Sequence, residues 1–148
     1  MKRNLYAEMR KAQQEEFNSF PIGAAFSTEQ FNKMMHNWGL DPETDTDKIV
    51  KLYGGTFILK DDVQAFKEMC KRHKDEMDKA IEEDADGSGF IKDMFLTELN
   101  NHEYGYTMDT EDTLDALGYT ADDIINNPKL KKGIELAVTE IMRFENGE

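Results

Sequence analysis

The densest cluster of metal-type ligands in the chain is Asp84-Ala85-Asp86-Gly87-Ser88-Gly89-Phe90-Ile91. A calcium loop of the EF-hand kind wants oxygen donors at positions 1, 3 and 5, glycine at 6 and an aliphatic residue at 8, between two helices. Asp84, Asp86, Ser88, Gly89 and Ile91 meet these requirements. Position 12, which should supply two carboxylate oxygens, is Phe95, and position 9 is the cationic Lys92. Without the bidentate ligand nothing draws the exit helix onto an ion, unless Glu98 or Glu82 substitutes. The expected calcium affinity is therefore no tighter than about 10⁻⁴ M. The competing reading is a tight, acid-rich turn in which glycine supplies a positive φ.

Glu98 and His102 stand at i and i+4 and share one face of a helix, where they could hold a metal or centre an enzyme site. The spacing is not HExxH, and no third strong ligand stands nearby in the sequence. The alternative is structural, with Asn101 and His102 capping the helix end. No GxSxG elbow or phosphate-cradling glycine loop occurs, and no histidine is evidently paired with the single cysteine, Cys70. Neither catalysis nor a cofactor is expected.

Charge is the stronger signal. The formal net charge is −13, and its distribution is uneven: residues 1–80 hold 14 acids and 13 bases, whereas residues 81–127 hold 13 acids and only Lys92. Such a surface repels nucleic acid and anionic membrane and speeds encounter with basic proteins. Asp109, Glu111, Asp112, Asp115, Asp122 and Asp123 recur on successive turns, and a row of this kind could occupy the Lys and Arg row of a DNA-binding protein, mimicking DNA. Direct nucleic-acid binding is disfavoured, since basic patches interleaved with aromatics are missing.

The elements that position these residues are mainly helical. Leu5, Met9 and Ala12 mark a first amphipathic helix, followed by an extended connector from Phe20 to Phe26. Ser27 with Gln30 opens a second helix that ends at Gly39. Ile49 to Tyr53 and Thr56 to Leu59 flank Gly54-Gly55, which predicts a β-hairpin. Asp61 with Gln64 predicts a capping box for a long helix to Glu83, whose stripe of Val63, Phe66, Met69, Cys70, His73, Met77, Ala80 and Ile81 is expected to be the core spine. Truncating Phe66 to Ala should then cost about 3–5 kcal/mol. Further helices are predicted from about Asp93 to His102, after Asp109, after Thr120, and from Pro128, the last burying Leu130, Ile134, Ala137, Ile141 and Phe144. The fold class is mainly α (α+β), a compact multi-helix single domain over residues 1–148 with one small β-hairpin. No apolar run approaches the ~20 residues of a membrane span, no signal-peptide pattern opens the chain, and Cys70 reads as a small core residue. A cytoplasmic location is expected.

Three segments carry a resemblance: Phe17 to Phe31, Tyr53-Gly-Gly-Thr-Phe57, and Gly89 to Tyr104, together with Thr113 to Gly118. They resemble an uncharacterised family of small proteins encoded by phages and conjugative elements of Gram-positive gut bacteria. The resemblance implies no activity, but it implies a context in which small acidic proteins inhibit host defences, anti-CRISPR proteins among them. It points to Asn101, His102, Glu103 and Tyr104 as the distinctive block. The expected function is a non-catalytic binding protein that engages a basic surface on a host or element protein through this block and Asp109, Glu111, Asp112 and Asp115. The alternatives are a divalent-cation module on Asp84, Asp86 and Ser88, and an unrecognised enzyme centred on Glu98 and His102.

Overall fold

The computed structural model describes residues 2–147. It is mainly helical, with eight α-helices and one small antiparallel sheet among the described residues. The chain divides into two compact units, residues 1–12 with 75–148, and residues 13–74. Two helices, α1 (Leu5–Ser19) and α3 (Val63–Glu83), contribute to both. No helix among the described residues is long and apolar enough to cross a membrane.

The second unit holds β1 (Gly23–Ala24), α2 (Thr28–Asn37), β2 (Ile49–Lys51) and β3 (Thr56–Leu59). The predicted hairpin forms, with Ile49 opposite Leu59 and Lys51 opposite Phe57. Gly54 and Gly55 take φ of 72° and 76°, as a tight turn of this hand needs. The stretch expected as a plain connector adds a third strand: Gly23 pairs with Phe57 and Ala24 with Thr56, giving the order β1-β3-β2. Two residues are too few for alternation to reveal a strand. Ser27 caps α2 as expected, its hydroxyl accepting the Gln30 N–H at 3.1 Å. The Asp61 and Gln64 box does not form, because a 3₁₀ turn over Lys60–Asp62 runs straight into α3 and Gln64 donates to Glu68 instead. In α3 only Met69 is fully buried and Cys70 is exposed, so the cysteine lies beside the apolar stripe and not in it. Phe66 is half-buried, its ring meeting the edges of Phe17 and Phe20.

The first unit contains the main core. Its centre is α4 (Phe90–Asn101), where Phe90, Ile91, Met94, Phe95 and Leu99 are all buried. A helix apolar on most of its circumference must be surrounded. Around it lie α5 (Tyr104–Thr107), α6 (Glu111–Leu117), α7 (Ala121–Asn126) and α8 (Pro128–Glu145), with Tyr6 of α1 and Met77, Ala80 and Ile81 of α3. Leu130, Ala137 and Ile141 form the buried face of α8 as the spacing predicted. The two central helices touch at Gly133, where a Cβ would come within 2.5 Å of Ile91 Cγ2. In α1 the buried positions are Tyr6 and Gln13; Leu5 and Ala12 face solvent, one residue away from the expected stripe. The helix starts predicted at Thr120 and Pro128 are capped: Thr120 and Asp123 form a reciprocal box, and Asn127 Oδ1 accepts from Lys129 and Leu130.

Candidate functional site

The loop Asp84 to Ile91 is occupied with its own backbone. Asp84 accepts the N–H groups of Gly87 at 2.9 Å, Gly89 at 3.2 Å and Ile91 at 2.9 Å, so it caps the start of α4 from six residues upstream. Asp86 accepts the Ser88 hydroxyl at 2.6 Å and N–H at 2.9 Å, and its other oxygen takes Lys132 Nζ at 3.0 Å. Gly87 sits at φ 94°, its absent Cβ pointing within 2.1 Å of the Lys129 carbonyl. Lys129 in turn donates to the carbonyls of Ile81 and Glu82, closing the last turn of α3. The oxygens that a cation would need are thus committed to N–H, O–H and ammonium donors. No group of three or more His, Cys, Asp or Glu side chains among the described residues is arranged to hold a metal.

These bonds fix the charge of Asp86. The Ser88 hydroxyl and N–H, then Lys132, hold its carboxyl far below the ordinary value of 3.8. A carboxylate depressed in the folded state contributes stability that is complete above its unfolded value and is lost as pH falls through and below it. Urea midpoints should therefore decline below about pH 4, and Asp86→Asn should flatten that decline while lowering the midpoint at pH 7. An unchanged acid limb in the variant would refute the assignment.

Glu98 and His102 do not converge. The Glu98 carboxylate accepts the Tyr6 hydroxyl at 3.0 Å, and burial, then the Glu98 charge and hydrogen bond, push that phenol strongly up. His102 Nδ1 lies 2.7 Å from the Glu98 carbonyl, which can only accept, so Nδ1 carries the proton. His102 is the C-cap of α4, and the fully buried Thr113 also reaches the Glu98 carbonyl, at 3.3 Å. This knot ties α1, α4 and α6 together. One turn back, Asp93 accepts the Leu5 N–H at 2.8 Å and so caps α1 across the core. Burial draws Lys92 down, but its 3.1 Å bond to Glu140 together with the charges of Glu140 and Asp93 raises it overall.

The expected partner-binding residues lie together on α4's end and on α5 and α6. Asn101 and Glu103 are exposed, His102 and Tyr104 half-buried, and Asp109, Glu111, Asp112 and Asp115 exposed. Asp109 does not cap α6 directly: Thr110 is the N-cap, and Asp109 accepts the Glu111 N–H at 2.8 Å in a turn just ahead of it. Several acids elsewhere are paired, Glu8 with Arg3, Glu16 with Arg72 and His73, Asp45 with Lys48 and Asp86 with Lys132. Among the described residues no base forms an ion pair with Asp109, Glu111, Asp112, Asp115 or Asp122.

Two features of this surface had no signal in the pattern of residues. Tyr106 and Met108 are 91% and 61% exposed, large apolar groups just ahead of Asp109, Glu111 and Asp112 in the chain. Glu103 and Met108, neither a glycine, hold φ of 58° and 57°, bracketing the single turn of α5. Such backbone is costly unless its surroundings enforce it, and it concentrates at functional sites. The family model that matches the chain is that of a family of unknown function, DUF7659, and the match runs over residues 5–140. The chain belongs to this family. No curated protein and no solved structure matches it. The DUF7659 match spans both units and ends inside α8, five residues short of its last turn's end.

Proposed function

We propose that this DUF7659 protein is a non-catalytic binding protein that engages a basic surface on a partner protein through the face formed by α5, α6 and the start of α7. The observation that carries the reading is the exposure of Glu111, Asp112, Asp115 and Asp122, without an ion pair among the described residues, in the stretch of chain that follows the exposed Tyr106 and Met108. Uncompensated charge steers encounter, and an exposed aromatic or methionine supplies the apolar anchor that a charged rim surrounds. The resemblance to phage and conjugative-element proteins adds a context in the cytoplasm of a bacterial host. There a basic, nucleic-acid-handling defence enzyme is the partner class that such a face would occupy in place of DNA.

The test is partner capture from host lysate with a variant carrying Asp112→Lys, Asp115→Lys and Asp122→Lys. Its control carries Glu29→Lys, Glu43→Lys and Asp61→Lys, which are exposed and make no ion pair among the described residues. The first variant should lose the partner and the control keep it. Capture should also weaken steeply between low and physiological salt, where exposed charges are screened beyond about 8 Å. A partner retained at about 1 M salt, or equal behaviour of the two variants, would sink the reading.

A further inference from the structure

The last turn of α8 departs from its expected role. Phe144 falls on the apolar spacing of that helix, one turn beyond the buried Ile141, yet it is 80% exposed. The helices α4 and α8 run side by side in the same direction: Ile91 meets Gly133 near their starts, Lys92 in the first turn of α4 reaches forward to Glu140, and Leu96 and Asn100 line one cleft with Ile141 and Phe144 near their ends. Between those ends lies a cleft of about 430 Å³ lined by Leu96, Asn100, Glu140, Ile141, Phe144 and Glu145. Its lining combines the aliphatic Leu96 and Ile141 and the exposed ring of Phe144 with one amide and two carboxylates. The first turn of α5 closes one side, since a Cβ on Gly105 would come within 2.8 Å of Glu145 Oε1. The cleft therefore borders the segment that presents Tyr106.

We propose that this cleft seats the apolar side chains of an amphipathic, Lys- and Arg-bearing helical segment of the partner, with Glu145 meeting its cations. This deepens the binding reading above and rests on it. Helix-in-groove recognition needs apolar anchors at i, i+3 or i+4 and i+7, and the cleft's volume falls within the roughly 300–1,000 Å³ of pockets that hold such groups. Charge selects the occupant. A second copy of this chain would bring −13 against −13, and an acidic segment would meet Glu145 and the unpaired acids beyond it. Glu140 is already partly neutralised by Lys92 at 3.1 Å and Lys2 at 3.8 Å, which leaves Glu145 the rim carboxylate without an ion pair among the described residues. A basic segment gains on both counts.

The probe is a fluorescein-labelled helical peptide of about five turns with Leu at the anchor positions and Lys or Arg elsewhere. Two comparison peptides accompany it, one with the same Leu positions and Glu in place of the cations, the other with the basic composition scrambled. Anisotropy should show binding of the first alone, with amide shifts at Leu96, Asn100 and Phe144. Phe144→Ser and Asn100→Trp both alter exposed positions, the first removing the ring and the second filling the cleft, so thermal melts should stay near that of the wild type. Each should weaken the basic peptide by about tenfold or more. No binding, equal binding of the scrambled peptide, or wild-type affinity in both variants overturns the cleft. The variants at Asp112, Asp115 and Asp122 separate the two readings. If they lose the partner while the cleft variants keep it, the acidic face stands and the cleft falls; the reverse result leaves the cleft and removes the acidic row.

Discussion

Phe95→Ala should cost about 3–5 kcal/mol in a urea melt, the loss of a wholly buried aromatic whose neighbours cannot close the void. The ring lies at the centre of the first unit, tilted against Tyr119 at 6.3 Å between centroids. It also occupies position 12 of the calcium-like loop, where a glutamate would put its carboxylate into that core. Phe66→Ala, expected from helical spacing to cost as much, should cost clearly less, because Phe66 is only half-buried, its ring set edge-on to Phe17 and Phe20. Equal losses for the two variants would mean that α3, not α4, is the spine.

That contrast shows what spacing can and cannot convey. Both helices carry apolar residues at helical intervals, and the pattern does not say how many elements surround a helix. The longest stripe therefore looked central, whereas the shorter α4, apolar around most of its circumference, is the one enclosed. Helix starts that rest on a local side chain were legible, as at Ser27, Thr120 and Asn127. The start of α1 rests on both kinds: Asn4 Oδ1 accepts the Ala7 N–H at 2.8 Å from close by, whereas the bond from the Leu5 N–H to Asp93, 88 residues away, is one that spacing cannot show. The acidic face could be read from composition, because exposed acids without nearby bases need no tertiary information. Tyr106, Met108 and Phe144 could not, since an exposed aromatic and a buried one look the same until the covering element is known to be missing.

Asp84→Ala should be the most damaging single change in the loop, and it separates a cation site from a structural turn. Four N–H groups donate to this carboxylate, those of Asp86, Gly87, Gly89 and Ile91, and both Gly87 and Ile91 are buried. An orphaned buried donor costs about 1–3 kcal/mol, so the total loss should be about 3 kcal/mol or more. Asp84→Asn should lose less, as one acceptor oxygen remains while the amide opposes the other N–H groups. Gly87→Ala should fail for a second reason: φ of 94° disfavours a side chain, and the new Cβ would strike the Lys129 carbonyl. Lys129 cannot withdraw without giving up the Ile81 and Glu82 carbonyls at the end of α3. Each melt is run with EGTA and again with millimolar calcium. A turn held by its own hydrogen bonds gives the same midpoints in both, and the variants are destabilised in both. If instead calcium raises the wild-type midpoint, Asp84→Ala abolishes that rise, and the two proteins melt alike in EGTA, the loop is a cation site and its structural assignment is wrong.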